Sequence, residues 1–233
     1  MPIALIALAI GGCASTKVVP LSAESAAALE GRRIGASEYE TPDFSAFTAG
    51  KAMFGLVGAA LMISAGNRIV SENAVEDPAG EIAASLAGRM AEVHGMTVAE
   101  GGSGAVLADG SVGSVAERYD DADYVMDVRT VNWSFLYFPT DWSRYRVLYS
   151  AKLRLVETRG GQVIAEGFCK RVPDYTDDAP TREELLANEA ARLKSELATA
   201  RALCDAQFRD VLGLARDPAA PFSGDPPPRP LEP

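Results

Sequence analysis

Residues 124–138 read YVMDVRTVNWSFLYF, and residues 145–155 read YRVLYSAKLRL. Both stretches are rich in β-branched and aromatic residues, a composition that is typical of β-strands. In the second stretch apolar residues alternate with mostly polar or basic ones, which predicts a half-buried antiparallel strand. The apolar face of the first stretch changes parity, from Tyr124, Met126 and Val128 to Val131, Trp133 and Phe135. This change predicts a β-bulge near Thr130, because one extra residue moves the following side chains to the other face.

The segments that follow these strands predict a hairpin and a covering helix. Residues 158–161 (TRGG) are a turn signal, after which residues 162–171 continue as a third strand. Thr181 and Glu184 have the spacing of a capping box, which begins a helix. Apolar residues then recur on one stripe: Leu186, Ala190, Leu193, Leu197, Ala200, Cys204, Phe208 and Val211. We expect this stripe to cover the sheet of three long strands.

The order of elements predicts an α+β protein. Residues 33–44 are expected to form a first strand with a turn at residues 41–43. Asp77 and Pro78 open a helix that Gly95 closes, because Asp is a favoured N-cap, Pro fits the first helical turn and Gly suits the C-terminal end. We predict one domain over residues 31–215, in which a mixed sheet with three long antiparallel strands is covered by helices, including one long C-terminal helix.

Residues 52–66 (AMFGLVGAALMISAG) contain no charged side chain. The run is shorter than the ~20 apolar residues that span a bilayer. One interpretation is a Gly/Ala-rich helix that is buried against the body. The other is a segment that touches a membrane or self-associates, since small residues let helix backbones approach closely.

The N-terminus carries the features of an export signal. Residues 3–10 are an unbroken apolar run, although no Lys or Arg precedes it. The sequence Ile10-Gly11-Gly12-Cys13 resembles the lipobox of bacterial lipoproteins. The resemblance implies a signal peptide over residues 1–12, acylation of Cys13, and a lipidated tether over residues 13–30. By analogy with lipoprotein sorting, Ala14 rather than Asp after the cysteine implies the periplasmic face of the outer membrane.

The two remaining cysteines, Cys169 and Cys204, fall in a predicted strand and a predicted helix. Export would place them in an oxidising compartment, where disulfides form and persist. A bridge between them is one interpretation, and two buried free thiols are the other. The sequence alone does not choose between the two, because a bridge depends on the distance and orientation of the Cα–Cβ bonds.

Composition argues against several classes of function. The net charge of −10 argues against nucleic-acid binding, and one His with three Cys argues against a metal site made from these residues. The acidic clusters at residues 120–127 and 174–178 are expected in turns and caps. We therefore expect no cofactor, no bound metal and no catalytic residues. Residues 216–233 hold seven of the fourteen prolines and are expected to be a disordered tail.

Seven aromatic residues lie between positions 133 and 149, around the link between the first two long strands. Packing in the core is one role for them. The other is a partner-binding patch near the link, formed by Tyr137, Trp142, Arg144 and Arg146, because exposed aromatic and Arg side chains are typical of binding surfaces.

The strand that begins at Asp123 follows a short predicted helix. This step resembles periplasmic domains such as the TolB N-terminal domain and the curli secretion-channel lipoprotein, over residues 30–215 in element order. We therefore expect a non-enzymatic lipoprotein that serves as a binding or envelope-assembly module, with the membrane, another envelope protein or a second copy as partner. The alternative is an oligomeric pore or secretion-channel component that uses residues 52–66.

Overall fold

The computed structural model describes residues 17–48, 55–99 and 106–214. The predicted signal peptide (1–12), Cys13, residues 52–54 of the Gly/Ala-rich run and the predicted tail (216–233) lie outside the described residues. The elements are, in chain order, α1 (Ala23–Ala27), β1 (Arg33–Ala36), β2 (Ser45–Phe47), α2 (Gly55–Glu72), α3 (Pro78–His94), β3 (Thr97–Val98), α4 (Val112–Arg118), β4 (Tyr124–Phe138), β5 (Asp141–Glu157), β6 (Gln162–Arg171) and α5 (Arg182–Val211).

The strands form one mixed sheet of six, in the order β3-β1-β4-β5-β6, with β2 also paired to β4. β4, β5 and β6 are antiparallel neighbours, whereas β1, β2 and β3 pair in parallel. Helices α3 and α5 pack on one face of the sheet, where the main core lies. The predicted α+β fold, with three long antiparallel strands and a long C-terminal helix, is confirmed.

The parity change in β4 is a register shift between Thr130 and Asn132. Before the shift Met126 and Val128 are buried, and after it Trp133 and Phe135 are buried in the same core. The placement of Val131 on the inner face is wrong, since its side chain is 43 % exposed. Val131 is the extra residue of the bulge, and Thr130 is the one that stays buried.

The strand expected over residues 33–44 covers only Arg33–Ala36 (β1), and a second short strand, β2, follows that range at Ser45–Phe47. β1 pairs with the first part of β4 at Tyr124–Met126, and β2 pairs with its second part at Ser134–Leu136. Between them the chain leaves the ladder near Pro42, which has no N–H to donate. The indole N–H of Trp133 donates to the carbonyl oxygens of Pro42 and Asp43, at 3.1 Å each, and so holds this excursion against β4.

The predicted tether is shorter than expected, because the chain from Lys17 onward lies on the body. Val19 and Glu166 exchange two backbone hydrogen bonds at the outer edge of β6, and the N–H of Leu21 donates to the carbonyl of Val211. Leu29 is fully buried in the main core. Burial of this side chain and the backbone hydrogen bonds together offset the conformational entropy that the segment loses on packing against the body.

Helix α5 is interrupted near its beginning. Asn188, Glu189 and Ala190 have φ values of 52°, 57° and 57°, in the left-handed region that few non-glycine residues adopt. The break rotates the first turn of the helix, so that Leu185 is buried and Leu186 is only partly buried. The predicted stripe is therefore correct from Ala190 to Phe208, and wrong by one residue before the break.

Cys169 of β6 and Cys204 of α5 are bonded, with an S–S distance of 2.03 Å. Both side chains are fully buried in the main core. The bond fastens the long helix to the edge of the sheet on which it packs. Nearby, an added Cβ on Gly167 would lie 3.1 Å from the ring of Phe208, so the helix and β6 are in close contact here.

We expect the double variant Cys169→Ala/Cys204→Ala to lose about 4 kcal/mol of unfolding free energy, because the bond closes a loop of 35 residues in the unfolded chain. Urea denaturation with and without a thiol reductant measures the effect. The reductant should destabilise the wild-type protein and leave the double variant unchanged. The wild-type protein is first reduced completely in denaturant. A urea midpoint that is the same with and without the reductant would then contradict the expectation.

Helix α2 is attached to β2 through close backbone contact. A Cβ on Gly66 would lie 1.9 Å from the carbonyl oxygen of Phe44, and the amide of Asn67 bonds the same segment. Towards the other end of the helix Ala59, Ala60 and Leu61 are exposed, although Met62 is buried. The described part of the run, residues 55–66, is therefore helical, and its buried positions are Gly58, Met62 and Gly66.

Gly66→Ala should lower the unfolding free energy by about 1–3 kcal/mol, because the methyl group has no room beside Phe44. Gly88→Ala is the matched control, since Gly88 lies inside helix α3 with nothing within 4 Å of an added Cβ. The control should raise stability by up to about 1 kcal/mol through helix propensity. Chemical denaturation measures the unfolding free energy of both variants. Equal changes in the two variants would refute the close contact at Gly66.

Candidate functional site

The end of the β4–β5 hairpin presents the most exposed aromatic group among the described residues. Trp142 is 65 % exposed, and its ring lies 6.1 Å from that of Tyr137 in an edge-to-face arrangement. Tyr175, from the connection between β6 and α5, is 44 % exposed and lies edge-to-face with Phe138 at 5.2 Å. We call these four residues the hairpin-end patch. Edge-to-face pairs hold the rings in defined orientations, so the patch is pre-formed.

Arg144 and Arg146, which we expected to face a partner, are bound to the protein itself. Arg144 donates to the carbonyl of Ala179 at 2.7 Å and lies 3.6 Å from the carboxylate of Glu184. Arg146 donates to the carbonyl of Pro173 at 3.1 Å, and its guanidinium lies over the Phe138 ring. Both side chains hold residues 172–181 against β5. Of the predicted patch, Trp142 and Tyr137 therefore offer contact area, and the two arginines position it.

Acidic residues surround the hairpin-end patch. Asp141 accepts hydrogen bonds from the backbone and hydroxyl of Ser143, and these bonds lower the pKa of its carboxyl. The neighbouring connection adds Asp174, Asp177 and Asp178, all exposed. The surface is thus aromatic and mildly acidic, and Arg144 and Arg146 are already engaged within the protein.

A cleft of about 640 Å³ lies between the chain around Tyr39, the end of α2 and the start of α3. Its lining includes four carboxylates and no Lys or Arg among the described residues: Glu38, Glu76, Asp77 and Glu81. Arg201 of α5 lies 3.1 Å from Glu81 and offsets one of these charges. The cleft therefore has a negative field at its wall.

A buried hydrogen-bond network lies under one wall of this cleft. Asp77 caps helix α3 by accepting from the N–H of Ala79 at 3.2 Å, and it also accepts from the hydroxyl of Thr130. The hydroxyls of Thr130 and Tyr149 are 3.0 Å apart. Burial raises the pKa of the Asp77 carboxyl and that of the Tyr149 phenol. The network joins the start of α3 to both β4 and β5.

A second buried cluster occupies the opposite face of the sheet, and the sequence analysis missed it. Asp127, 1 % exposed, accepts from Arg154 at 2.6 Å and from the hydroxyl of Tyr39 at 2.5 Å. Arg154 also donates to the carbonyl of Gly110 at 2.7 Å. The sequence contained a signal for it, since Asp127 and Arg154 face each other in the hairpin register. Assigning the acidic cluster to turns and caps hid this pair.

The other acidic residues near Asp127 lie mainly at the start of β4. Asp123 accepts from the backbone N–H of Arg33 at 3.0 Å and lies 3.4 Å from the guanidinium of Arg159. Asp121 lies 3.4 Å from the guanidinium of Arg33. These contacts hold the ends of β1 and β5 together.

Within the described ranges, the structure contains no group of three or more His, Cys, Asp or Glu side chains that could hold a metal ion. Within the same ranges, no helix has both the length and the apolar content needed to cross a bilayer. The chain matches none of the known protein-family models, and a search of curated proteins finds no match.

The raised pKa of Asp77 predicts a pH dependence of stability. A carboxyl whose pKa is higher in the folded state binds its proton more tightly there, so stability falls as pH rises from the ordinary value near 3.8 through the folded pKa. Asp77→Asn keeps an N-cap residue and cannot ionise. Unfolding free energies measured from pH 4 to 7 should show this loss in the wild-type protein and not in the variant. Parallel pH profiles would show that Asp77 is not responsible.

Proposed function

We propose that this protein is a lipoprotein of the bacterial outer membrane, anchored on the periplasmic face through Cys13, and that it acts as a non-enzymatic binding or envelope-assembly module. The Cys169–Cys204 disulfide is the observation that carries the proposal. Disulfides persist in oxidising compartments, and the periplasm is one of them. This sign of export comes from the body of the protein and agrees with the lipobox-like sequence at residues 10–13.

The hairpin-end patch supports a role in binding. Trp142 is the most exposed large apolar side chain of the described residues, and its ring packs edge-to-face against that of Tyr137. Exposed and pre-oriented aromatic side chains give large contact area at low entropic cost. The acidic charge of the chain supports a partner other than nucleic acid, such as the membrane surface, another envelope protein or a second copy.

The exposed apolar part of α2 favours a second candidate, an oligomeric pore or secretion-channel component. Ala59 and Ala60 are exposed and Leu61 is 50 % exposed, on the part of the helix that precedes its contact with Phe44. Small side chains in this position would allow a second helix to approach. Size measurement of the detergent-purified protein separates the candidates, because the channel requires an oligomer and a monomer argues against it.

Metabolic labelling with palmitate tests the anchor. The wild-type protein should take up label and fractionate with outer membranes. Cys13→Ala should lose both properties, because the thiol that would carry the acyl chain is absent. Cys169→Ala/Cys204→Ala is the matched control and should keep its label. An unlabelled wild-type protein in the cytosol would refute the proposal.

A cross-linking experiment in intact cells tests the binding role. Wild-type protein should form a specific cross-linked species, and Cys13→Ala should form less of it because it lies away from the membrane. A species that forms equally in both proteins would argue against a partner at the envelope.

A further inference from the structure

The first described residues fix the direction in which the N-terminus leaves the body. Val19 and Glu166 exchange backbone hydrogen bonds of 2.7 and 2.9 Å as an antiparallel bridge. In an antiparallel bridge the chain before Val19 runs towards the residues that follow Glu166. The chain therefore heads for Arg171, where β6 ends, and for the side of the molecule on which the hairpin end lies.

The hairpin end projects far beyond β6. Arg171 is opposite Tyr149, and β5 begins eight residues earlier, at Asp141. At about 3.3 Å per residue these eight positions carry the hairpin end roughly 26 Å past the end of β6.

The chain between Cys13 and Val19 cannot match that projection. Its six residue steps cover at most about 22 Å, of which the stretch from Glu166 to Arg171 already takes about 17 Å. An acylated Cys13 would thus reach only a few Å past β6. A chain that kept the direction set by the Val19–Glu166 bridge would therefore place the anchor on the side of the sheet where the hairpin end lies.

The chemistry of the hairpin end fits the polar layer of a bilayer. Trp and Tyr concentrate at membrane–water interfaces, where the ring is apolar and its N–H or O–H stays hydrated. Trp142 and Tyr175 are the exposed aromatic residues here, and Val172, 37 % exposed, adds apolar area beside them. Arg144 and Arg146 are bound internally, and the facing acidic groups are Asp141, Asp174, Asp177 and Asp178. With this charge, the surface suits zwitterionic rather than anionic headgroups.

We propose that the end of the β4–β5 hairpin, centred on Trp142, docks into the zwitterionic headgroup layer of the leaflet that holds the acyl chains of Cys13. This inference rests on the proposed lipidation of Cys13 and names the partner of the hairpin-end patch. The bilayer then has two attachments to the protein, the acyl chains and the hairpin end, and together they fix the inclination of the sheet.

Tryptophan fluorescence gives a direct test, because the chain has two tryptophans and Trp133 is 1 % exposed. The full protein, purified from membranes with its acyl chains, is reconstituted into phosphatidylethanolamine/phosphatidylcholine vesicles. A fraction of the lipid carries bromine near the headgroup end of its acyl chains. Bromine quenches the fluorescence of an indole that lies at the same depth in the bilayer. The wild-type protein should lose up to half of its emission, and Trp142→Phe should lose almost none.

A matched control places a tryptophan at the other end of the sheet. Val98 of β3 is 45 % exposed and pairs with Ile34, which in turn pairs with Tyr124, at the end of β4 opposite the hairpin end. Val98→Trp in the Trp142→Phe background should remain unquenched, since that edge faces away from the bilayer.

The outcomes separate this inference from the function on which it rests. Protein that floats with the vesicles and keeps its Trp142 emission, while soluble acrylamide still quenches it, overturns the docking and leaves the surface for a protein partner. Equal quenching of Trp142 and of the tryptophan at position 98 also overturns it. Absence of acylation, seen as protein that neither takes up palmitate nor floats, overturns the anchor and the docking together.

Discussion

Strand β4 is paired on both of its edges along most of its length. β5 pairs with one edge from Tyr124 to Phe138, while β1 and β2 share the other. The extra residue at the bulge near Thr130 lets apolar side chains on both sides of the bulge point into the same core. Because the strand bends there, a single core can extend under α3 near Met126 and under β2 and Phe44 near Trp133.

The polar groups that β4 buries are matched to this arrangement. Thr130 holds the cap of α3 through Asp77, and Asp127 receives Arg154 and Tyr39 on the other face. A buried carboxylate that lost its partner would cost about 3–5 kcal/mol. The carbonyl of Gly110 accepts a hydrogen bond from Arg154 in turn, so the same ion pair ties the segment before α4 to this face of the sheet. Groups on β4 therefore position α3 on one face of the sheet and the segment before α4 on the other.

Local signals were sufficient for the elements that are contiguous in the chain. The alternation in β5, the Asp77–Gly95 limits of α3 and the Thr181–Glu184 capping box all depend on neighbours within a few residues. The split of residues 33–47 depends on an indole ninety residues away, and the inward use of Arg144 and Arg146 depends on carbonyls of a later loop. The cleft joins residues near 38, 70, 77 and 128, so no local pattern could reveal it. The sequence around Val19 is a small and polar segment, and nothing in it indicates that Val19 pairs with β6.

The bond between α5 and β6 has a consequence for how the chain matures. Three thiols allow three pairings, and two of them would involve Cys13. Attachment of lipid to the Cys13 thiol, as proposed, would leave Cys169 and Cys204 with only each other. Both sulfur atoms are sealed once the long helix is in place, so an oxidant has to reach them before that helix settles. The chain would then need an oxidase but no disulfide isomerase. Lipidation of Cys13 before oxidation would be enough to prevent a wrong disulfide.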